Sequence, residues 1–191
     1  LQKQDKETKK AVPQGDATLE KAVYGLYARE DIVHPDGATG VIYKAGEQVA
    51  TLTTDKNGQA SVDGLYLGNY YVKEITPPTG YLADEEENDL VCNYEGDLVA
   101  EVKCDCLSLE QVIKQPFEII KAANNGKTDA YLLKGAGFTA YLVSSLTVKE
   151  DGTYDFDSAT PVVLGENGAT EIFTDKKGYA VSIPLPYGTY V

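Results

Sequence analysis

The chain has 191 residues, a formal net charge of −13 at pH 7, 14 tyrosines, 18 glycines and one histidine, with no tryptophan or methionine. So acidic a balance opposes nucleic acid or an anionic bilayer surface as partner, and no apolar run approaches the roughly 18 residues of a membrane span. Tyr and Gly, with Thr, Val and Pro, fit short strands joined by tight turns and an all-β fold. The three cysteines, Cys92, Cys104 and Cys106, lie in one region. Their odd number does not make a disulfide framework, and Cys-Asp-Cys lacks the second half of a tetrahedral zinc site. A bridge from Cys92 to Cys104 or Cys106, or buried thiols, remain the options. No metal or cofactor is expected.

Leu1–Asp5 reads as a first strand carrying Lys3, and polar Lys6–Glu20 as a loop. Ala22–Ala28 alternates β-branched and aromatic residues, with Tyr24 and Leu26 on one face, and is a strand. Glu30–Gly46 is rich in turn formers and holds His34, which has no neighbouring Cys or second His to share a metal. Val49–Thr53 and Gln59–Val62 suggest a hairpin around Asp55-Lys56-Asn57-Gly58. Asn69–Ile75 places Tyr70, Val72 and Glu74 on one strand face, and Pro77-Pro78 ends it. The acidic run Asp84–Glu87 reads as a solvated loop or edge. Asp89–Tyr94 and Leu98–Lys103 suggest a second hairpin. Cys106–Val112 is a further strand with Leu107, Leu109 and Gln111 on one face.

Gln115-Pro116 marks a junction, because Pro cannot donate to a central ladder, giving domains 1–114 and 115–191. The second domain opens with Phe117–Ala122, holding Lys121, and loops through Asn124-Asn125-Gly126. Gly137–Val143 takes the role of Ala22–Ala28, and Lys149–Asp157 forms a hairpin tip. Thr170–Thr174, Ala180–Ile183 and Gly188–Val191 are its last strands. A gapless alignment of Gly58 with Gly178 also superimposes Thr54 on Thr174, Asp55 on Asp175, Ala60 on Ala180, Leu65 on Leu185 and Tyr70 on Tyr190. This repeat is far longer than the 20–50 residues of solenoids and predicts two tandem domains. The second copy stops at Val191, short of a counterpart to Glu74, so the chain is expected to be a fragment with its second domain truncated.

Lys3-Gln4-Asp5, Ala22–Tyr27, the turn Thr54–Gly58, and Tyr70-Tyr71-Val72-Lys73-Glu74 followed by Pro77-Pro78-Thr79-Gly80-Tyr81 resemble the collagen-adhesin B-type domain, also called the SpaA-like or prealbumin-like pilin domain. The resemblance continues through Phe117–Lys121, Gly135–Tyr141 and Thr174–Tyr190. It implies two tandem immunoglobulin-like β-sandwiches of a Gram-positive, cell-wall-anchored pilin, stalk or adhesin, located outside the cell. It also implies an internal isopeptide bond between a first-strand lysine and a last-strand Asn or Asp, assisted by a glutamate. By position, Lys3 resembles the nucleophile and Glu74 the proton shuttle. Gln111 stands where the family carries the acceptor, with one methylene more, and Asp105 is nearby. A non-covalent buried pair of Lys3 and Glu74 is the alternative. Lys121 resembles the second nucleophile, with its partner outside this chain.

Burial supplies the chemistry that such a bond needs. An apolar interior lowers a lysine toward its nucleophilic neutral form and raises a carboxylic acid, and a protonated glutamate polarises a carbonyl and shuttles protons. The leading expectation is therefore a non-enzymatic structural spacer whose partners are other domains of the same surface protein. A ligand-binding adhesin, gripping a glycan or host matrix protein through Tyr66, Tyr187 or the Glu30–Gly46 loop, is the alternative. Neither a Gly-x-Ser-x-Gly elbow nor a nucleotide-binding loop is present to support an enzyme acting on an external substrate.

Overall fold

A computed structural model describes residues 1–123 and 131–191. It divides into two compact units, Leu1–Val112 and Ile113–Val191. The expected loop at Asn124-Asn125-Gly126 falls outside the described residues. The described secondary structure is strand apart from two short 3-10 turns, Val143–Ser145 and Glu166–Gly168. No described helix is long and apolar enough to cross a membrane.

Unit 1 contains β1 (Gln2–Asp5), β2 (Val23–Ala28), β3 (Ile32–Val33), β4 (Val41–Tyr43), β5 (Gln48–Thr53), β6 (Gly68–Thr76), β7 (Glu87–Cys92) and β8 (Leu107–Glu110). One sheet has the order β5-β2-β6-β7, all antiparallel, while β1 and β8 pair in parallel, so the unit's first and last strands lie side by side. The pleat sends Tyr24, Leu26 and Ala28 of β2, Leu52 of β5, Tyr70 and Val72 of β6 and Leu90 and Cys92 of β7 into one buried cluster. Tyr24 with Leu26, and Tyr70 with Val72, share a strand face as the alternation groups them. A smaller cluster of Ala17, Leu19, Tyr81 and Val112 closes off one end. The Cys92–Cys104 disulfide ties β7 to the segment before β8, and Cys106 is a buried free thiol.

Two expected hairpins have only one strand each. Gln59 forms a bridge with Gln2 of β1, and the residues beyond it form no strand. The reason is a competing partner: Ala60 N–H donates to the Leu1 carbonyl and Lys3 N–H to that of Gly58, so this stretch is spent on β1. Leu98–Lys103 also forms no strand, and β7 stays the edge of its sheet, paired with β6 alone among the described strands.

Unit 2 contains β9 (Lys114–Gln115), β10 (Glu118–Ile120), β11 (Ala122–Ala123), β12 (Tyr131–Leu132), β13 (Gly137–Phe138), β14 (Thr147–Val148), β15 (Tyr154–Asp155), β16 (Ile172–Phe173), β17 (Tyr179–Val181) and β18 (Leu185–Pro186). They pair two by two, with β14 and β15 forming a hairpin that starts at Thr147, two residues before the expected tip Lys149–Asp157. β9 pairs with β18, which is why Lys114 belongs to this unit and the boundary falls two residues before the expected one. Ala140, Leu164 and Leu185 form its core.

The sequence repeat reappears as matching hydrogen bonds. Thr54 Oγ1 accepts from Ala22 N–H at 3.0 Å and donates to the Leu19 carbonyl at 2.6 Å; Thr174 Oγ1 does the same with Ala136 and Leu133 at the same distances. Asp55 and Asp175 each close their turn through a side-chain oxygen that accepts two backbone N–H groups. Tyr70 and Tyr190 each donate their hydroxyl to the carbonyl four residues earlier, at 2.6 and 2.8 Å. Strand register agrees as well: Tyr24 pairs with Leu52 as Phe138 pairs with Ile172. Ala136, not Gly137, is thus the counterpart of Ala22, one residue earlier than the sequence reading.

Thr54 is buried, and both of its hydrogen bonds go to backbone groups. Thr54→Val keeps the shape but strands a buried N–H and a buried carbonyl, at a cost of about 1–3 kcal/mol. Urea unfolding should show the loss as a lower midpoint with an unchanged slope.

Candidate functional site

Parallel pairing of β1 and β8 sets Lys3 opposite Ser108 and Asp5 opposite Glu110. The side chains of all four point inward and are almost wholly buried. The Lys3 amine lies against Oε2 of Glu110 and 3.7 Å from Oε1 of Glu74 on the facing β6. It also sits over the ring of Tyr81, 4.8 Å from the centroid. Among the described residues, Lys3 Nζ, Glu74 Oε1 and Glu110 Oε2 have no hydrogen-bond partner elsewhere.

The remaining oxygens are held. Oε1 of Glu110 accepts from the Tyr24 hydroxyl and from Ser108 Oγ at 3.0 Å, and the two hydroxyls are themselves 3.2 Å apart. Oε2 of Glu74 accepts the backbone N–H of Asp84 at 3.0 Å, giving the acidic run a role beyond solvation. Asp5 forms a separate buried node, accepting from Glu7 and Thr8 N–H, the Gln14 amide and the Tyr81 hydroxyl. That node fixes the end of β1 and, through Tyr81, one wall around the amine.

Burial dominates the electrostatics. It brings the Lys3 amine down to about 8, against the pull of Glu74, and pushes the Glu74 carboxyl up, against the Asp84 N–H and Lys3. Burial also pushes the Tyr24 phenol well up, so it stays a hydrogen-bond donor at neutral pH. The site therefore joins an amine brought closer to its neutral form, a carboxyl group against it, and a second carboxyl whose acid form burial favours.

Lys3 and Glu74 come together as expected, but Gln111 does not join them. Its amide donates to Glu7 Oε1 at 2.6 Å, near the surface, and the β8 side chain that lies against the Lys3 amine is Glu110. The apolar pair Leu107 and Leu109 had suggested the inner face, yet Leu107 is 46% exposed while Cys106, Ser108, Glu110 and Val112 are buried. Cys106 and Val112 were the available signal, since they share the parity of Glu110 and are apolar. Asp105 is exposed. Lys121 is exposed too, although its N–H donates to the Gly178 carbonyl as that of Lys3 does to Gly58. Tyr24, Ser108, Asp84 and Glu110 are the site residues that the sequence reading missed.

The other flagged positions lie apart. His34 contacts Asp36 at 3.0 Å, and the edge of its ring meets Tyr66, which also meets Tyr43. Tyr66 and Tyr187 are partly exposed. Among the described residues, no group of three or more His, Cys, Asp or Glu is placed to hold a metal.

The family model for the SpaA prealbumin-like fold domain matches residues 1–104, a span with Lys3 and Glu74 inside it and Glu110 beyond it. No curated protein matches. Among solved structures, the chain is similar to the Bacillus anthracis TIE protein, with 23% identity and a TM-score of 0.50, over 99% of this chain and 26% of that one. It also matches a streptococcal ancillary pilin at 24% identity and TM-score 0.36, over 98% of this chain and 50% of that one. A minor pilin of the Gram-positive pathogen Streptococcus agalactiae matches at 17% identity and TM-score 0.31, over 91% and 69% respectively. The chain thus spans about a quarter of the first of these proteins and half of the second. By the match over residues 1–104, more than half its length, the chain belongs to the SpaA prealbumin-like domain family.

Proposed function

We propose that this chain is a load-bearing spacer of a bacterial surface protein, and that Lys3 and Glu110 join in an intramolecular isopeptide bond. The observation that carries this reading is the fully buried Lys3 amine lying against the carboxylate of Glu110 on the adjacent last strand. One ammonium between two buried carboxylates leaves a net buried charge, which is costly. An amide at Lys3 and Glu110 removes one charge of each sign, and a protonated Glu74 then leaves the site neutral. Family membership supports the same reading.

In the reaction, the neutral amine attacks Cδ of Glu110, a C–N bond forms, and the hydroxyl of the carboxylic acid departs as water. Glu74, starting as the acid, gives its proton to the departing hydroxyl and takes in exchange the proton that the nitrogen sheds. The product closes a loop from Lys3 to Glu110. By the chain-entropy account, a loop of about 100 residues is worth about 4–5 kcal/mol of stability.

The mechanical consequence follows from topology. Because β1 and β8 are parallel, the chain enters their pair at one end and leaves at the other. Tension applied across unit 1 then runs from Lys3 through the amide to Glu110, and everything between is off the load path. Such a domain holds its length under force. The neighbours that transmit the load are other domains of the same protein, and the site of action is the cell exterior.

Intact-mass measurement of the purified chain should give a mass one water below the sequence value after allowance for the disulfide. Lys3→Ala and Glu110→Ala should keep that water, and Glu110→Gln should lose ammonia in its place. A wild-type chain that keeps the water contradicts the bond.

Bond formation should follow a bell-shaped pH profile. On the acid side it falls as the Lys3 amine, brought to about 8, takes up a proton; on the alkaline side it falls as Glu74, raised by burial, gives its proton up. Quenching newly made chain at set times across pH measures the profile. A rate that climbs steadily with pH would mean that no carboxylic acid takes part.

A further inference from the structure

We propose that Tyr24 and Ser108 are catalytic residues of the cross-linking step, their hydroxyls forming a two-donor hole for the oxyanion that develops on Oε1 of Glu110. The inference rests on the cross-link reading above and goes beyond its Lys–Glu pair by giving each carboxyl oxygen of Glu110 a separate task. Oε2 faces the amine and leaves, while Oε1 accepts from both hydroxyls. When the Lys3 nitrogen attacks Cδ, the electron pair of the C=O bond moves onto Oε1, where the donors are already aimed. That pair re-forms the C=O bond as Oε2 departs as water, carrying the proton that Glu74 gives up while Glu74 takes the one the nitrogen sheds. One amine and one carboxylic acid give one amide and one water.

Three observations point the same way. Tyr24 and Ser108 are buried, so their donors act in a site closed to water, where such contacts are strongest. Glu74 is 3.7 Å from the amine and its other oxygen is held by Asp84 N–H, which suits a proton carrier on the nucleophile's side. Finally, unit 2 provides a natural control. Phe138 occupies the register of Tyr24, and there Lys121 is exposed. The strand accepts the ring without the hydroxyl, so the hydroxyl of Tyr24 goes with the buried site and not with the demands of the fold.

The test is cell-free synthesis of the 191-residue chain, quenched in denaturant at set times, with intact mass following loss of water. Tyr24→Phe and Ser108→Ala are expected to slow that loss by about 10²-fold or more, the usual effect of removing an oxyanion donor. They should leave the far-ultraviolet circular dichroism unchanged. Ser108→Thr, which restores a hydroxyl, should recover most of the rate. Water loss at the wild-type rate in Tyr24→Phe and Ser108→Ala would overturn the inference while leaving the cross-link intact. Equal slowing in Ser108→Ala and Ser108→Thr would also overturn it, because the hydroxyl would then not be the cause. A wild-type chain that never loses water would remove the reaction itself, and with it both readings.

Discussion

A primary amine shut away from water has to become neutral, find a counter-charge or form a bond, and the architecture of unit 1 turns on how Lys3 meets that demand. Its side chain is wholly buried between two strands and a facing sheet. Each facing element contributes one answer: β8 brings Glu110 against the nitrogen, β6 brings Glu74, and the turn after β6 brings the face of Tyr81. Two carboxylates for one ammonium is an arrangement that stability alone would not select, since an apolar replacement of similar volume commonly does as well or better. Conversion of the nearer pair into a neutral amide makes sense of the excess acid. The second carboxyl then acts as the carrier of a proton and not as a counter-ion.

The two units separate what belongs to the scaffold from what belongs to the site. The threonine that ties two backbone groups, the aspartate that closes a turn and the tyrosine that reaches back four residues occur in both, with nearly equal distances. These are answers to backbone hydrogen bonding that any short-stranded sandwich must find. The buried amine with its hydroxyl-clamped carboxylate is confined to unit 1 among the described residues. In unit 2, Phe138 and Ala123 stand where Tyr24 and Asp5 stand in unit 1, and Lys121 faces solvent. Similar scaffolds therefore hold different interiors.

Much of this was legible in the sequence. Alternation grouped Tyr24 with Leu26, and Tyr70 with Val72 and Glu74, on single strand faces, and the repeat announced turns whose hydrogen bonds then matched. Reading failed where polarity and burial part company. Ser108 and Glu110 face inward because Lys3 needs them, so the usual inference that the leucines of that strand mark the core pointed to the wrong face and to Gln111. The missing return strand after Gln59 has a different cause, since strand propensity cannot say which partner will claim a backbone. Only the pairing with β1 decides that.

The most direct test of the account is peptide mapping of the purified chain, digested with a protease after denaturation and reduction. A branched peptide in which the Lys3 side chain is acylated by the Glu110 side chain, identified by fragmentation on both arms, is the result the account requires. Recovery of the first and last strands of unit 1 as separate linear peptides of full mass, with no branched species, would contradict it.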